Sequence, residues 1–193
     1  YAQSISLLIQ AYEYYFDEKY LIKAMELAEE CIERLYDSRK GLFKNSESSL
    51  IDQTYDTVDD VIPSANSVMC ENLIQLYHYF FINEFKSISD RMLRLIRNQA
   101  IRNPEFYHYW FKLLWQAQYN FYEIVVGSGY KERDIEALRK ALNSYGVLSR
   151  VSESNTIPLL KGKTESEDAI FICREGVCHR PVNSILEALD QII

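Results

Sequence analysis

Apolar positions in the first part of the chain recur at helical spacing. Ile5, Leu8, Ile9, Tyr12 and Phe16 share one face, and Leu21, Ala24, Met25, Ala28, Ile32 and Leu35 repeat the stripe after a break at Asp17-Glu18-Lys19. The pattern predicts two amphipathic helices folded back on each other through a tight turn. Gly41, after Lys40, reads as a helix stop. The polar stretch from Leu42 to Pro63, rich in Ser, Asp, Asn and Thr, reads as a long loop, and loops of that length inside a compact domain are usually functional or disordered. Three further helical stripes follow. Met69, Leu73, Leu76, Tyr77 and Phe80 form the first, with Ser64 and Asn66 as candidate N-caps. Phe85, Ile88, Met92, Leu95 and Ile96 form the second. Phe106, Trp110, Leu113, Leu114 and Ala117 form the third, opened by Asn103-Pro104-Glu105 as a helix start.

Near residue 121 the pattern changes. Tyr122-Glu123-Ile124-Val125-Val126-Gly127 is a β-branched run ending in Gly and predicts a buried strand. Ile135, Leu138, Ala141 and Leu142 predict a short helix, Val147 to Val151 a second strand, and Ala169 to Cys173 a third. Ile185, Leu186, Leu189 and Ile192 close the chain as a helix. The expected organisation is therefore a helical region over 1–120 and a small mixed α/β segment over 121–193.

Composition narrows the function classes. With 193 residues, 48% hydrophobic and 25% charged, the chain is long enough to bury a core and is not of disordered composition. No apolar run approaches the length of a membrane-spanning helix, and the residues from Tyr1 on do not read as a basic, apolar signal segment, so a cytoplasmic, reducing setting is expected. The absence of an initiator Met at Tyr1 is read as a sign of a piece of a longer protein. Lys and Arg number 21 against 28 Asp and Glu, a net charge of −7. An acidic surface repels phosphate backbones, so nucleic acid is not an expected partner. Arg91, Arg94, Arg97 and Arg102 at helical spacing read as one solvated face.

Four stretches carry candidate chemistry. Gly127-Ser128-Gly129, between a strand and a helix, has the look of a phosphate-binding turn, but the third Gly of a dinucleotide fingerprint is replaced by Glu132, which favours a plain turn. Cys173 and Cys178 flank Arg174-Glu175-Gly176-Val177 at the end of a strand. Packed thiols are the favoured reading. A disulfide or redox-sensitive pair is the next, since a turn there can bring the Cα atoms within roughly 7 Å. A metal site ranks last, because zinc needs two more ligands and only His179 is adjacent. No metal and no cofactor are expected. Cys31 and Cys70 sit in helical stripes and read as reduced, packed residues. The acidic loop holds Glu47, Asp52, Asp56, Asp59 and Asp60. Paired carboxylates perform glycoside chemistry, and Tyr55 beside them is suited to stacking on a sugar; the plainer reading is a solvated loop that caps the next helix. Val61-Ile62-Pro63-Ser64-Ala65-Asn66-Ser67 places small polar residues at a helix N-terminus, where unpaired N–H groups face whatever lies beside them.

Together these stretches resemble the C-terminal part of the thioredoxin-domain-containing family related to spermatogenesis-associated protein 20. The resemblance runs, in order, through Tyr1-Ala2 and the first hairpin, Asp59 to Ser67, Ile124 to Gly127, Pro158-Leu159-Leu160-Lys161-Gly162-Lys163, and Ile172-Cys173 to Cys178 with Pro181-Val182. The second stretch is similar to an Asp-Gly-Ala-Glu-Pro-Ser-Gly-Asn-Ser motif, and the last to a Cys-x4-Cys-x2-Pro ending. Ile62 stands where the family has an acid, and Ala65 where it has Gly. The resemblance implies a full-length protein with a thioredoxin-like domain ahead of a six-hairpin helical toroid, similar to those of N-acylglucosamine 2-epimerases and six-hairpin glycosidases. One hairpin takes roughly 35 residues, so six do not fit here. The expected fold is accordingly mainly α, a partial (α/α) six-hairpin toroid of about five helices followed by the α/β segment. The implied function is a carbohydrate-binding or carbohydrate-active toroid; the alternative is a non-catalytic, partner-binding domain serving a thioredoxin-like redox module. Candidate ligand-binding residues are Asp59, Pro63, Ser64, Asn66 and Ser67, with Tyr55 and Asp56, for a sugar ligand; Cys173 and Cys178 are the redox candidates. Half a toroid exposes hairpin faces, so self-association is expected.

Overall fold

A computed structural model describes residues 1–47, 54–119, 121–142, 145–152, 156–163 and 167–192. The chain is mostly helical, with a small mixed sheet in its C-terminal part. It divides into two compact units. The first comprises Tyr1–Tyr77 and Ile82–Gln118; the second comprises His78–Phe81 and Tyr119–Ile193.

In the first unit, α1 (Ala2–Tyr15) and α2 (Glu18–Leu35) form the expected hairpin and bury Ile5, Ile9, Tyr12, Leu21, Ala24, Ala28 and Cys31. Phe16 ends α1 in the left-handed region at φ 54°, and its N–H reaches Tyr12 O. The Asp17 side chain then accepts the Lys19 N–H and caps α2. Gly41 is not the stop for α2. The helix ends at Leu35, and β1 (Tyr36–Asp37) pairs antiparallel with β2 (Leu42–Phe43). Asp37 accepts the N–H groups of Arg39 and Lys40 and holds the turn between them. Gly41 closes that turn at φ 75°, with Leu95 and Arg91 side chains occupying the place a Cβ would take.

The helix α3 (Ala65–Phe80) is buried on almost every side over its first half, where Asn66 to Leu73 are all buried. α4 (Asn83–Arg102) buries Phe85, Ile88, Met92, Leu93, Ile96 and Ala100. Leu95, placed on the apolar stripe from sequence, is 45% exposed, and Leu93 takes its place in the core. Asn103-Pro104-Glu105 does not open an α-helix directly. Pro104–Phe106 forms a 3-10 turn, and α5 (His108–Gln116) starts after it, burying Trp110 and Leu113. Phe106 and Ala117, expected on the buried stripe, are exposed.

The second unit is built on a four-stranded sheet of order β4-β3-β5-β6. β3 (Tyr122–Val126) runs parallel to β4 (Gly146–Arg150), with α6 (Glu132–Leu142) as the crossover. β5 (Ile170–Arg174) and β6 (Val177–Cys178) are antiparallel additions. β3 is covered over Glu123 to Val126, which explains its unbroken β-branched run. α6 buries Ile135, Leu138 and Leu142, and α7 (Ile185–Ile192) packs beside it. Among the described residues no helix is long and apolar enough to cross a membrane.

Candidate functional site

The Asp59–Ser67 stretch folds into a knot of internal hydrogen bonds. Asp59 is 1% exposed. Its Oδ1 accepts the Ser64 N–H at 2.9 Å and the Ser67 hydroxyl at 2.8 Å. Its Oδ2 accepts the N–H groups of Tyr109 at 2.9 Å and Trp110 at 3.3 Å. One carboxylate thus satisfies orphan donors at the starts of both α3 and α5 and sits at the positive end of each. Ser64 acts as the N-cap expected of it, its hydroxyl accepting the Ser67 N–H. Asn66 is not a cap. From inside α3 it accepts the Phe43 N–H and donates to the Phe43 and Asp56 carbonyls, tying β2 and the loop to the helix.

The remaining candidates in this stretch are placed around that knot. Pro63 is half-buried, between exposed Ile62 and buried Ser64. Asp56 donates its N–H to the Asn45 side-chain oxygen and accepts the Ala65 N–H on Oδ2. Tyr55 donates its hydroxyl to Asp37 at 2.6 Å. That bond, with the Arg39 and Lys40 amides, holds the Asp37 carboxyl below its usual range, and the same bond raises the Tyr55 hydroxyl. Glu47 pairs with Arg34. Asp52 lies outside the described residues. The side chains of Tyr55, Asp56, Asp59, Ser64, Asn66 and Ser67 are therefore engaged with the chain itself.

A polar cluster that the sequence pattern does not single out lies next to the knot. Glu71, one turn beyond Ser67 on α3, accepts the Tyr109 hydroxyl and, at 2.7 Å, the Lys112 ammonium. Lys112 also lies 4.6 Å over the Tyr109 ring. Burial, with Glu71 beside it, pushes the Tyr109 hydroxyl far above its ordinary range. The available signal was a lone acid in the most buried helix, which needs partners.

In the second unit, Cys173 and Cys178 are joined as a disulfide. This overturns the packed-thiol reading of the pair and selects the second of the three. The reason is the turn. Arg174 and Val177 pair across a two-residue loop, with Glu175 at φ 49° and Gly176 at φ 76°. Two successive positive φ values make a type I′ turn, whose twist suits a tight hairpin, and the cysteines then stand directly opposite each other. Cys173 is fully buried and Cys178 partly exposed. Cys31 and Cys70 are free and buried, as expected. Among the described residues no group of three His, Cys, Asp or Glu is arranged to hold a metal ion.

Beside the disulfide stands a buried ionisable pair that sequence spacing does not reveal. Glu123, 0% exposed, is the register partner of Cys173. Its Oε1 and His78 Nδ1 share a hydrogen bond of 2.7 Å, and its Oε2 accepts the Gly176 N–H at 2.9 Å. His78 stacks on Phe121 with ring centres 4.1 Å apart. Lys163, half-buried and donating to Leu159 O, has its ammonium pKa lowered by burial, with attraction to Glu123 acting the other way. An acid inside a β-branched run was the signal that could have found this group.

Gly127-Ser128-Gly129 is a structural turn. The N–H groups of Gly127 and Gly129 donate to the Ala169 and Glu167 carbonyls, and Arg150 holds the Ser128 carbonyl. The two glycine amides a phosphate would need are thus already engaged. The sequence matches no protein-family model and no curated protein.

Proposed function

We propose that the chain is a partner-binding domain that exchanges thiol and disulfide with a thioredoxin-like module. One observation supports this above others: the Cys173–Cys178 disulfide closes a hairpin whose turn is exposed, with Cys178 a partly exposed residue and a buried carboxylate at the register position beside Cys173. A disulfide at a hairpin tip is open to attack by a partner's thiolate, and exchange requires that access. The resemblance to a thioredoxin-domain-containing family agrees with it. The test is incubation with a reduced thioredoxin whose resolving cysteine is replaced by Ser. Capture of the chain through Cys178 supports the reading; a bond that stays intact throughout discards it.

A second reading is a sugar-binding partial (α/α) toroid. The Glu71–Tyr109–Lys112 cluster favours it, since it offers a carboxylate, a hydroxyl, an ammonium and an aromatic face within one half-buried site. Asp59 and Asn66 are poor probes of that reading because their loss would disturb the helix starts. Calorimetry against a panel of mono- and oligosaccharides, repeated on Glu71→Gln, is the better measurement. No heat from any sugar would retire this reading.

A further inference from the structure

We propose that the buried His78–Glu123 pair is the proton-transfer partner of the Cys173–Cys178 disulfide. The proposal rests on the thiol–disulfide reading for its physiological partner, but its chemistry concerns only this chain.

Directly paired residues in a sheet share one face. Glu123 pairs with Cys173, and Cys173 with Cys178, so the three form one row across β3, β5 and β6. The Glu123 carboxylate reaches along that row to the Gly176 amide, in the turn between the two cysteines. His78 joins it from α3 and Lys163 from the segment after the Pro158–Leu160 turn. Arg174, at the alternate position, bonds to Tyr122 on the other face, and Glu175 lies exposed in the turn. A fully buried carboxylate is costly to keep for stability alone.

The reaction needs what this pair supplies. A thiolate of a partner dithiol attacks the sulfur of Cys178, the partly exposed residue of the two, forming a mixed disulfide. The S–S bond breaks, and its electron pair leaves on Cys173. That sulfur is fully buried beside Glu123, where a bare thiolate next to a carboxylate is disfavoured both by burial and by like charge. With the pair as imidazolium and carboxylate, the proton held between His78 and Glu123 passes to Cys173, which becomes a neutral thiol; His78 is left as neutral imidazole and regains its proton from water. The partner's second thiolate then attacks its own sulfur in the mixed disulfide and releases Cys178, which takes a proton from water. The partner dithiol is oxidised to a disulfide, this chain's disulfide is reduced to two thiols, and two electrons are transferred.

The experiment measures the rate of reduction of the oxidised chain by dithiothreitol from pH 6 to pH 10, by alkylation and mass shift, for wild type and Glu123→Gln. Gln keeps an acceptor for the Gly176 amide but cannot pass on a proton. Below the ordinary thiol range the leaving sulfur needs a proton, so the wild-type rate should exceed that of the variant by about a hundredfold near pH 6. Near pH 10 proton transfer from the pair no longer distinguishes the two proteins, and the two rates should converge. A rate ratio near one at pH 6, or one that is the same at every pH, overturns the proposal. Should Glu123→Gln lose its native circular dichroism, His78→Gln is measured on the same terms. A thioredoxin arm run alongside separates the two claims: failure of thioredoxin with a pH-dependent dithiothreitol ratio removes the partner and leaves the proton-transfer pair standing.

Discussion

Asp59 accepts the main-chain N–H of Tyr109, fifty positions further along the chain, at 2.9 Å, while its other oxygen holds the start of α3. One side chain therefore fixes where two helices begin. Asp59→Ala would leave the Ser64, Tyr109 and Trp110 amides without their acceptor. Hydrogen bonds to a charged group contribute about 1.5–3 kcal/mol each, and water recovers part of the loss, so a destabilisation of about 3 kcal/mol is expected. Tyr55→Phe removes one bond from a partly exposed pair and should cost much less. Urea unfolding of both variants checks the contrast. Equal midpoints would show that Asp59 does not organise the helix starts.

The relation of Asp59 to Tyr109 also shows why the site is harder to read from sequence than the fold. β3 and β5 are legible because buried strands demand β-branched runs, and Tyr122–Val126 and Ile170–Arg174 supply them. The α1–α2 hairpin is legible from its stripe. A two-residue ladder such as β1–β2 has no period to detect, so Gly41 reads as a helix stop. Asp, Ser and Asn at a helix start bind ligands and backbone amides with the same atoms. Which of the two they do depends on where the amides of Tyr109 and Phe43 fall, and that is set by packing across distant parts of the chain. His78 and Glu123 are 45 residues apart, and only the fold brings them together.

Reduction of the Cys173–Cys178 bond should lower stability modestly. The bond closes a six-residue loop, for which the chain-entropy account gives about 2 kcal/mol. The remaining two cysteines are already free thiols, so the effect of dithiothreitol reports on this bond alone. Scanning calorimetry with and without the reductant should show a lower Tm in its presence. An unchanged Tm, with reduction verified by alkylation, contradicts the expectation.

Phe111 and Trp115 lie one turn apart on α5, 43% and 47% exposed, with Phe106 at 54% nearby in sequence. Neighbouring exposed aromatic residues promote association. Light scattering across a concentration series should show growth of dimers or larger species, reduced in Phe111→Ser/Trp115→Ser. A single monomer mass at the highest concentration for the unaltered chain would remove the expectation.

Alkaline pH should unfold the first unit through groups that the fold keeps protonated. Burial pushes the Cys31 thiol up to about 11, and burial together with Glu71 raises Tyr109. In the unfolded chain a thiol loses its proton near pH 8.5 and a tyrosine near pH 10. Between the unfolded and folded values the folded state binds more protons, so stability falls as pH rises. The Cys31 contribution is fully present below about pH 8.5 and is lost progressively toward pH 11, with Tyr109 adding to the loss above pH 10. For Cys31 the gap between its folded and unfolded values corresponds to a contribution on the order of 3 kcal/mol. Urea midpoints measured from pH 7 to pH 11 should therefore decline above pH 8.5. Cys31→Ala should start lower, because it leaves a small cavity, yet decline less steeply between about pH 8.5 and 10. Parallel curves for the two proteins would show that the Cys31 thiol is not the group responsible for the early part of the decline.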